Sequence, residues 1–296
     1  MEYSVWIVFP SCNPTRANET LAKWKALGYG TAVLADKGTG HQFQAHLVLE
    51  ADPYPGYFQS ANRLCREVGD RAHVLVVAGD DVYPDPRFRA TQIAEQFFRH
   101  FPTGLGVMQP TGDDLDGTDR ICGSPWMGLP WIRRAYGGKG PFWDQYTAFY
   151  GDEELKNVAE KLGLLWMNPK VTQYHNHYTR KGGPAKTAYQ VKNDTYWNQD
   201  KGVFQARQDT RFPGHELTEA TRVPYSQGGE EAVILQLFGS QRGRFLDIGA
   251  YDGKTLPVNW AISYNCEWLE QAIEALRPCA ERYNVTLECA SRINAQ

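Results

Sequence analysis

The chain has 296 residues, enough for one large α/β domain or two smaller ones. Its hydrophobic fraction of 42% supplies a sizeable core, and its net charge of −3 excludes a broad electrostatic nucleic-acid binder, which needs a basic surface. The six cysteines (Cys12, Cys65, Cys122, Cys266, Cys279, Cys289) form no C-x-x-C pair, which argues against a disulfide framework or zinc knuckle and for a reducing, cytoplasmic setting. No apolar stretch approaches the roughly 18–20 residues of a membrane span, so a soluble protein is expected.

In chain order, residues 5–9 are a short apolar run stopped by Pro10, and Ser11-Cys12-Asn13-Pro14 is a polar loop. Residues 15–27 read as a helix closed by Gly28 and Gly30. A buried strand at 31–35 ends at Asp36, a weaker one follows at 46–49, and 57–68 is helical. The strongest strand, 73–77, runs straight into Gly79-Asp80-Asp81. After a helix at 89–101 comes a Gly-, Pro- and Trp-rich stretch, 104–142, too long for a simple connection. A helix at 151–162, a short strand at 164–167 and Tyr174-His175-Asn176-His177-Tyr178 complete this part, before a basic segment at 179–186. Alternating strands and helices predict a mainly parallel sheet covered on both faces, a Rossmann-like α/β architecture. Ligands of such sheets bind at the carboxyl ends of the strands, where Ser11, Asn13, Asp36, Asp80 and Asp81 lie.

Adjacent carboxylates at a strand end raise one another's pKa unless donors or a cation compensate them. A hard divalent ion sharing its shell with substrate phosphates is one such compensator; an exposed Asp-Asp turn is the plain alternative. On an extended segment His175 and His177 point to the same side, as a pair of metal ligands would. Acidic residues 152–154 open a helix, where the dipole favours them whatever else they do.

Taken together and in this order, the Pro-Ser-Cys-Asn loop, Asp36, the helix bearing Asn62, Gly-Asp-Asp-Val, Gly151-Asp152-Glu153-Glu154-Leu155 and the later histidines resemble the GT-A-fold, family-2-like glycosyltransferases over about residues 3–178. The resemblance implies a GT-A-type domain at 1–217 that transfers a hexose from a nucleotide-diphosphate sugar, UDP-sugar favoured, to an acceptor hydroxyl, metal-assisted and with inversion. It implies that Pro10, Ser11, Asn13, Asp36, Asn62 and Asp80 line the donor. Asp81 would hold Mn²⁺ or Mg²⁺ with His177, or alternatively His175. Asp152, then Glu153, would be the general base. The first acidic position of the family's D-x-D pattern is Gly79 here. Trp126 is an acceptor-side candidate, because aromatic faces stack on sugar rings, with core packing as the plainer role; Arg180 and Lys181 either approach the diphosphate or are ordinary solvated charges. The expected acceptor is a glycan or lipid-linked intermediate, or else a modified nucleobase in DNA, and the oligomeric state stays open. Two further readings stand beside this one: another nucleotide-dependent transferase, and a sugar- or nucleotide-binding module without catalysis.

Residues 225–231 and Gly243-Arg244-Phe245-Leu246-Asp247-Ile248-Gly249-Ala250-Tyr251-Asp252-Gly253 resemble the start of FkbM-type methyltransferases, whose strand and glycine loop bind S-adenosylmethionine. Only about forty residues follow, so 218–296 reads as an incomplete Rossmann-like fragment in which use of that cofactor is not expected.

Overall fold

The computed structural model describes residues 3–215. The expected boundary at 217/218 and the methyltransferase-like fragment lie outside the described residues.

The chain opens with β1 (Val5–Pro10), α1 (Pro14–Ala26), β2 (Gly30–Asp36), β3 (Leu47–Ala51), α2 (Tyr57–Val68) and β4 (Val74–Val77). β5 (Val82–Tyr83), α3 (Ala90–His100), β6 (Val107–Pro110), β7 (Trp126–Gly128) and α4 (Leu129–Arg134) follow. The described part ends with α5 (Gly151–Lys161), β8 (Leu165–Asn168), β9 (Tyr174–His175), α6 (Ala188–Asp194) and α7 (Trp197–Asp209). Among the described residues the main sheet has seven strands in the order β3-β2-β1-β4-β7-β6-β8. Its pairings are parallel except for β7, which runs against both β4 and β6. This is the mainly parallel α/β sheet that the sequence predicts.

Strand alternation sorts the core. Val5, Ile7 and Phe9 of β1 pack with Leu21 and Trp24 of α1 and Ile93 and Phe97 of α3 on one face of the sheet. α2 lies against β1 from the other face through its buried row Phe58, Ala61, Leu64, Cys65 and Val68. Asn13 caps α1, its side chain accepting the Arg16 N–H, and Pro14 occupies the first turn, where a missing N–H costs nothing.

The stretch at 104–142 is more ordered than its composition suggests. It supplies β6, β7 and α4, and Trp126 sits at the centre of the sheet with 0% exposure. The expectation that Trp126 faces an acceptor is therefore corrected: it is a core residue.

α7 has no counterpart in the sequence reading. Its buried positions include charged ones, Asp200 and Arg207, so its pattern looks like a solvated face. Asp200 accepts backbone N–H bonds from Thr147, Ala148 and Phe149 at 2.8–3.1 Å. Arg207 makes a bidentate pair with the fully buried Glu154 of α5 (2.6–3.0 Å), and Tyr136 and Tyr146 donate to the same carboxylate. Glu154→Gln or Arg207→Met leaves one buried charge unpaired, and each is expected to cost about 3–5 kcal/mol in equilibrium denaturation. The double variant is expected to cost less than the sum of the two.

Candidate functional site at the acidic strand end

Asp80 and Asp81 follow β4 at the carboxyl edge of the parallel strands, each with 7% exposure. They are compensated by different groups in the main. The Asp80 carboxylate accepts from the Ser11 hydroxyl (2.6 Å) and pairs with Arg16 (2.5 Å), while its backbone carbonyl accepts from Thr20 Oγ1 (2.6 Å). Burial still raises its pKa, beyond what Arg16 and Ser11 recover. Burial would raise Asp81 as well, but the hydrogen bond and charge of His175, with help from Arg16 and His177, hold it below the usual range. His175 Nε2 lies 3.4 Å from Asp81 Oδ1. Neighbouring acids driven apart in this way occur at functional sites as well as in structural ion-pair networks, which makes this edge a candidate site.

Gly79 accounts for the departure from D-x-D. A Cβ there would stand 2.5 Å from Asp81 Oδ1, because the Asp81 carboxylate folds back over its own turn. A side chain at 79 would evict that carboxylate from its position.

His175 arrives through a short antiparallel ribbon. β5 pairs with β9, setting Val82 opposite His175, and Asn176 N–H donates to the Asp81 carbonyl (2.8 Å). Three buried side chains stitch the approach. Asp85 accepts from Thr172 N–H (2.9 Å) and from Arg87; Gln173 bonds Trp126 Nε1 and the Ser124 carbonyl; Asp113 accepts from His175 N–H (3.0 Å). Trp126 thus serves the site from below, as an anchor for the histidine strand. His177 lies beside His175, ring centroids 4.8 Å apart, and its Nδ1 is 2.8 Å from Thr179 Oγ1. Burial, then His175, lowers its pKa.

The three acids at the start of α5 have separate roles. Glu154 is spent on Arg207. Asp152 is half-buried, with one carboxylate oxygen accepting from Glu153 N–H (3.1 Å), and burial raises its pKa. Burial, then Asp152, raises Glu153. Tyr57, at the start of α2, connects this helix to the acidic strand end: burial raises its phenol first, then the charges of Asp152 and of Asp81. Tyr189 of α6 reaches the same edge, where its hydroxyl bonds that of Tyr54. Burial is the main reason that phenol is pushed up to about 12, and Cys12 and Asp80 add to the rise.

The remaining expected residues divide. Pro10 ends β1 beside Ser11, and exposed Asp36 ends the neighbouring β2, both on the site edge. Ser11 is committed to Asp80, and Asn13 to its helix cap. Asn62 does not face the strand ends. It is 2% exposed and clamps the 142 loop, its amide bonding both the N–H and the carbonyl of Phe142. That expectation is corrected. Arg180, read either as a diphosphate contact or as a solvated charge, has its guanidinium taken by Asp113 and Asp114. Sequence reasoning missed Arg16, Tyr57, Asp113 and Arg207. Only Arg16 left a signal, a base one turn into the helix that follows the first strand.

For a divalent cation the site offers a partial shell, the Asp81 carboxylate and His175 with His177 beside them. Among the described residues no three His, Cys, Asp or Glu side chains converge as a formed metal centre. A carboxylate with an imidazole fits an ion that draws its other ligands from substrate phosphates.

No family model matches the chain, and no curated protein matches it in sequence. Among solved structures it is similar to a mutant of Drosophila β-1,4-galactosyltransferase 7 in complex with manganese, UDP-Gal and xylobiose. The identity is 11% and the TM-score 0.42, over 64% of this chain and 79% of that one. It is also similar to 4-diphosphocytidyl-2C-methyl-D-erythritol synthase from Anaerococcus prevotii (7% identity, TM-score 0.38, 66% of this chain and 96% of that one). A third is mouse xyloside xylosyltransferase 1 in its apo form (9% identity, TM-score 0.33, 56% and 85%). At such identities and scores, function has to be argued from the residues of the site. No helix among the described residues is long and apolar enough to cross a membrane.

Because burial raises Asp152, its carboxylate is harder to ionise in the native than in the unfolded chain. The native state then holds its proton to higher pH, so this group costs stability as pH rises above the unfolded value of about 3.9. Asp152→Asn is therefore expected to raise the thermal midpoint at pH 7, with the gain fading as pH falls towards 4. Thermal melts of both proteins across that range would check it.

Proposed function

We propose that this chain is a glycosyltransferase that moves a hexose from a nucleotide-diphosphate sugar, with UDP-sugar favoured, to an acceptor hydroxyl. The observation that carries this reading is the β5–β9 ribbon, which seats His175 on Asp81 at the carboxyl edge of a parallel sheet.

Asp81 and His175, with His177 adjacent, would hold Mn²⁺ or Mg²⁺, which when bound neutralises a departing diphosphate. Ser11, Arg16 and Asp80 form one wall of the donor cleft, with Asp36 at the end of the next strand. The amino end of α1, with its partial positive charge, opens on the same edge. Asp152 takes the proton of the acceptor hydroxyl, with Glu153 as the second candidate. A carboxylate whose pKa burial has raised is a stronger base than an exposed one, which suits it to that step. Attack from the base's side on a donor anchored at the strand ends is a single in-line displacement, and the anomeric configuration inverts. The acceptor is taken to be a glycan or lipid-linked oligosaccharide, or else a modified nucleobase, and the setting cytoplasmic.

The test is release of nucleoside diphosphate from a panel of UDP-, GDP- and dTDP-sugars, with and without Mn²⁺. One donor is expected to be turned over in a manganese-dependent manner. Asp81→Ala is expected to abolish the metal dependence. Asp152→Asn is expected to keep donor affinity and lower turnover about 10²–10⁴-fold. Failure of every sugar nucleotide to bind, with or without metal, would sink this reading; donor binding with turnover indifferent to Asp152→Asn would favour a binding module.

A further inference from the structure

The ribbon that delivers His175 is only two residues long on each strand, too short to be rigid by itself. Its outer edge is held by a closed ring of polar contacts. His175 N–H donates to Asp113 Oδ2 (3.0 Å), and Arg180 Nε donates to the His175 carbonyl (2.6 Å). Arg180 Nη2 meets both Asp113 oxygens at 2.5 Å, which closes the ring. The N–H and the carbonyl of His175 are thus both held by one ion pair, the carbonyl also accepting from His177 N–H (2.8 Å).

This pair is set apart from the surface charges near it. The side chains of Arg180 and Asp113 are 12% and 3% exposed, whereas Asp114, which takes the remaining guanidinium nitrogen, is 88% exposed. Arg180 also lies 4.4 Å above the Tyr174 ring, so it touches both residues of β9. A guanidinium neutralised by two carboxylates and spent on a carbonyl has little left to offer a substrate phosphate. Its planar fork, however, suits simultaneous bonds to a carboxylate and a carbonyl, which an ammonium cannot match.

We propose that Asp113 and Arg180 are positioning residues that fix the His175 imidazole at Asp81, preorganising the cation half-site. The inference rests on the cation reading given under Proposed function. Groups that orient a ligand through its neighbours typically affect metal affinity about 10–100-fold when removed. A merely structural ion pair would lower stability and leave metal affinity in the folded protein unchanged.

The experiment is titration of the full chain with Mn²⁺, alone and in the presence of UDP, followed by electron paramagnetic resonance of the free ion and by the nitrogen coupling on the bound ion. Thermal melts confirm that each variant is folded. Asp81→Ala and His175→Ala are expected to weaken binding, and His175→Ala to reduce the nitrogen coupling. Arg180→Gln and Asp113→Asn are expected to weaken binding about tenfold or more, with loss of nitrogen coupling on whatever Mn²⁺ remains bound. Arg180→Lys should resemble Arg180→Gln rather than the parent. Asp113→Asn keeps an acceptor for the His175 N–H and is the safer variant for folding. If Asp81→Ala and His175→Ala weaken binding while folded Arg180→Gln and Asp113→Asn do not, the positioning role is overturned and the cation reading survives. If the parent binds no Mn²⁺ with or without UDP, or none of the four substitutions alters its binding, the cation reading fails and this proposal fails with it.

Discussion

Two adjacent carboxylates at the end of a buried strand cannot both stay ionised unless their surroundings compensate them. Much of the arrangement around Asp80 and Asp81 follows from that constraint. Asp80 draws on the first strand–helix turn, through Ser11 and Arg16. Asp81 draws on a segment more than ninety residues later, through His175. The first partner is local to the βαβ unit and comes with the fold. The second requires the chain to return, pair with β5 and present a histidine on the correct side of a very short strand. Compensation of one acid is therefore architectural, and compensation of the other has been built separately. Burial prevails at Asp80 and the histidine prevails at Asp81, which gives the two neighbours opposite shifts.

That difference bears on what was legible in the sequence. β1, β2, β4 and α2 could be read because apolar runs end at Gly, Pro or Asp, and such punctuation reflects backbone geometry. Asp81 stood out as a candidate for a related reason, since acids at a strand end need an explanation wherever they occur. α7 was not legible. The residues that bury it against the rest, Asp200 and Arg207, are charged, and nothing local distinguishes a buried ion pair from a solvated one. β7 escaped for a different reason: a strand of three residues that ends in glycine carries no periodicity to detect. Trp126 and Asn62 were misassigned because the aromatic ring and the amide suit both a ligand and the protein's own interior. Only the bonds of Asn62 to Phe142 and of Trp126 to Gln173 decide between those uses.

The acids of α5 show how far one motif can be divided. Glu154, wholly buried, meets a guanidinium and two phenols and holds α7 to α5. Asp152, two residues earlier, stays half-buried with one backbone partner for its carboxylate. Helical geometry makes this division possible, because residues two apart project about 200° from one another, so that one is wholly buried while the other stays partly exposed. The clamp of Glu154 by Arg207, together with the grip of Asp200 on 147–149, fixes the entry of α5. The proposed base is then placed by charges that take no part in the chemistry proposed for it.

The same logic explains Gly79. In a pattern with acids at both ends, the first carboxylate would share the burden of charge at the strand end. Here the Asp81 carboxylate folds back into the space that a side chain at 79 would fill, and the imidazole of His175 faces it from across the ribbon. Removing one acid lowers the repulsion to be compensated, and moving the partner role to histidine replaces a second negative charge by a neutral or positive donor. A site organised in this way depends less on a cation to stay folded than one with converging carboxylates would. Any cation would then be needed for the substrate's charge rather than for the protein's own.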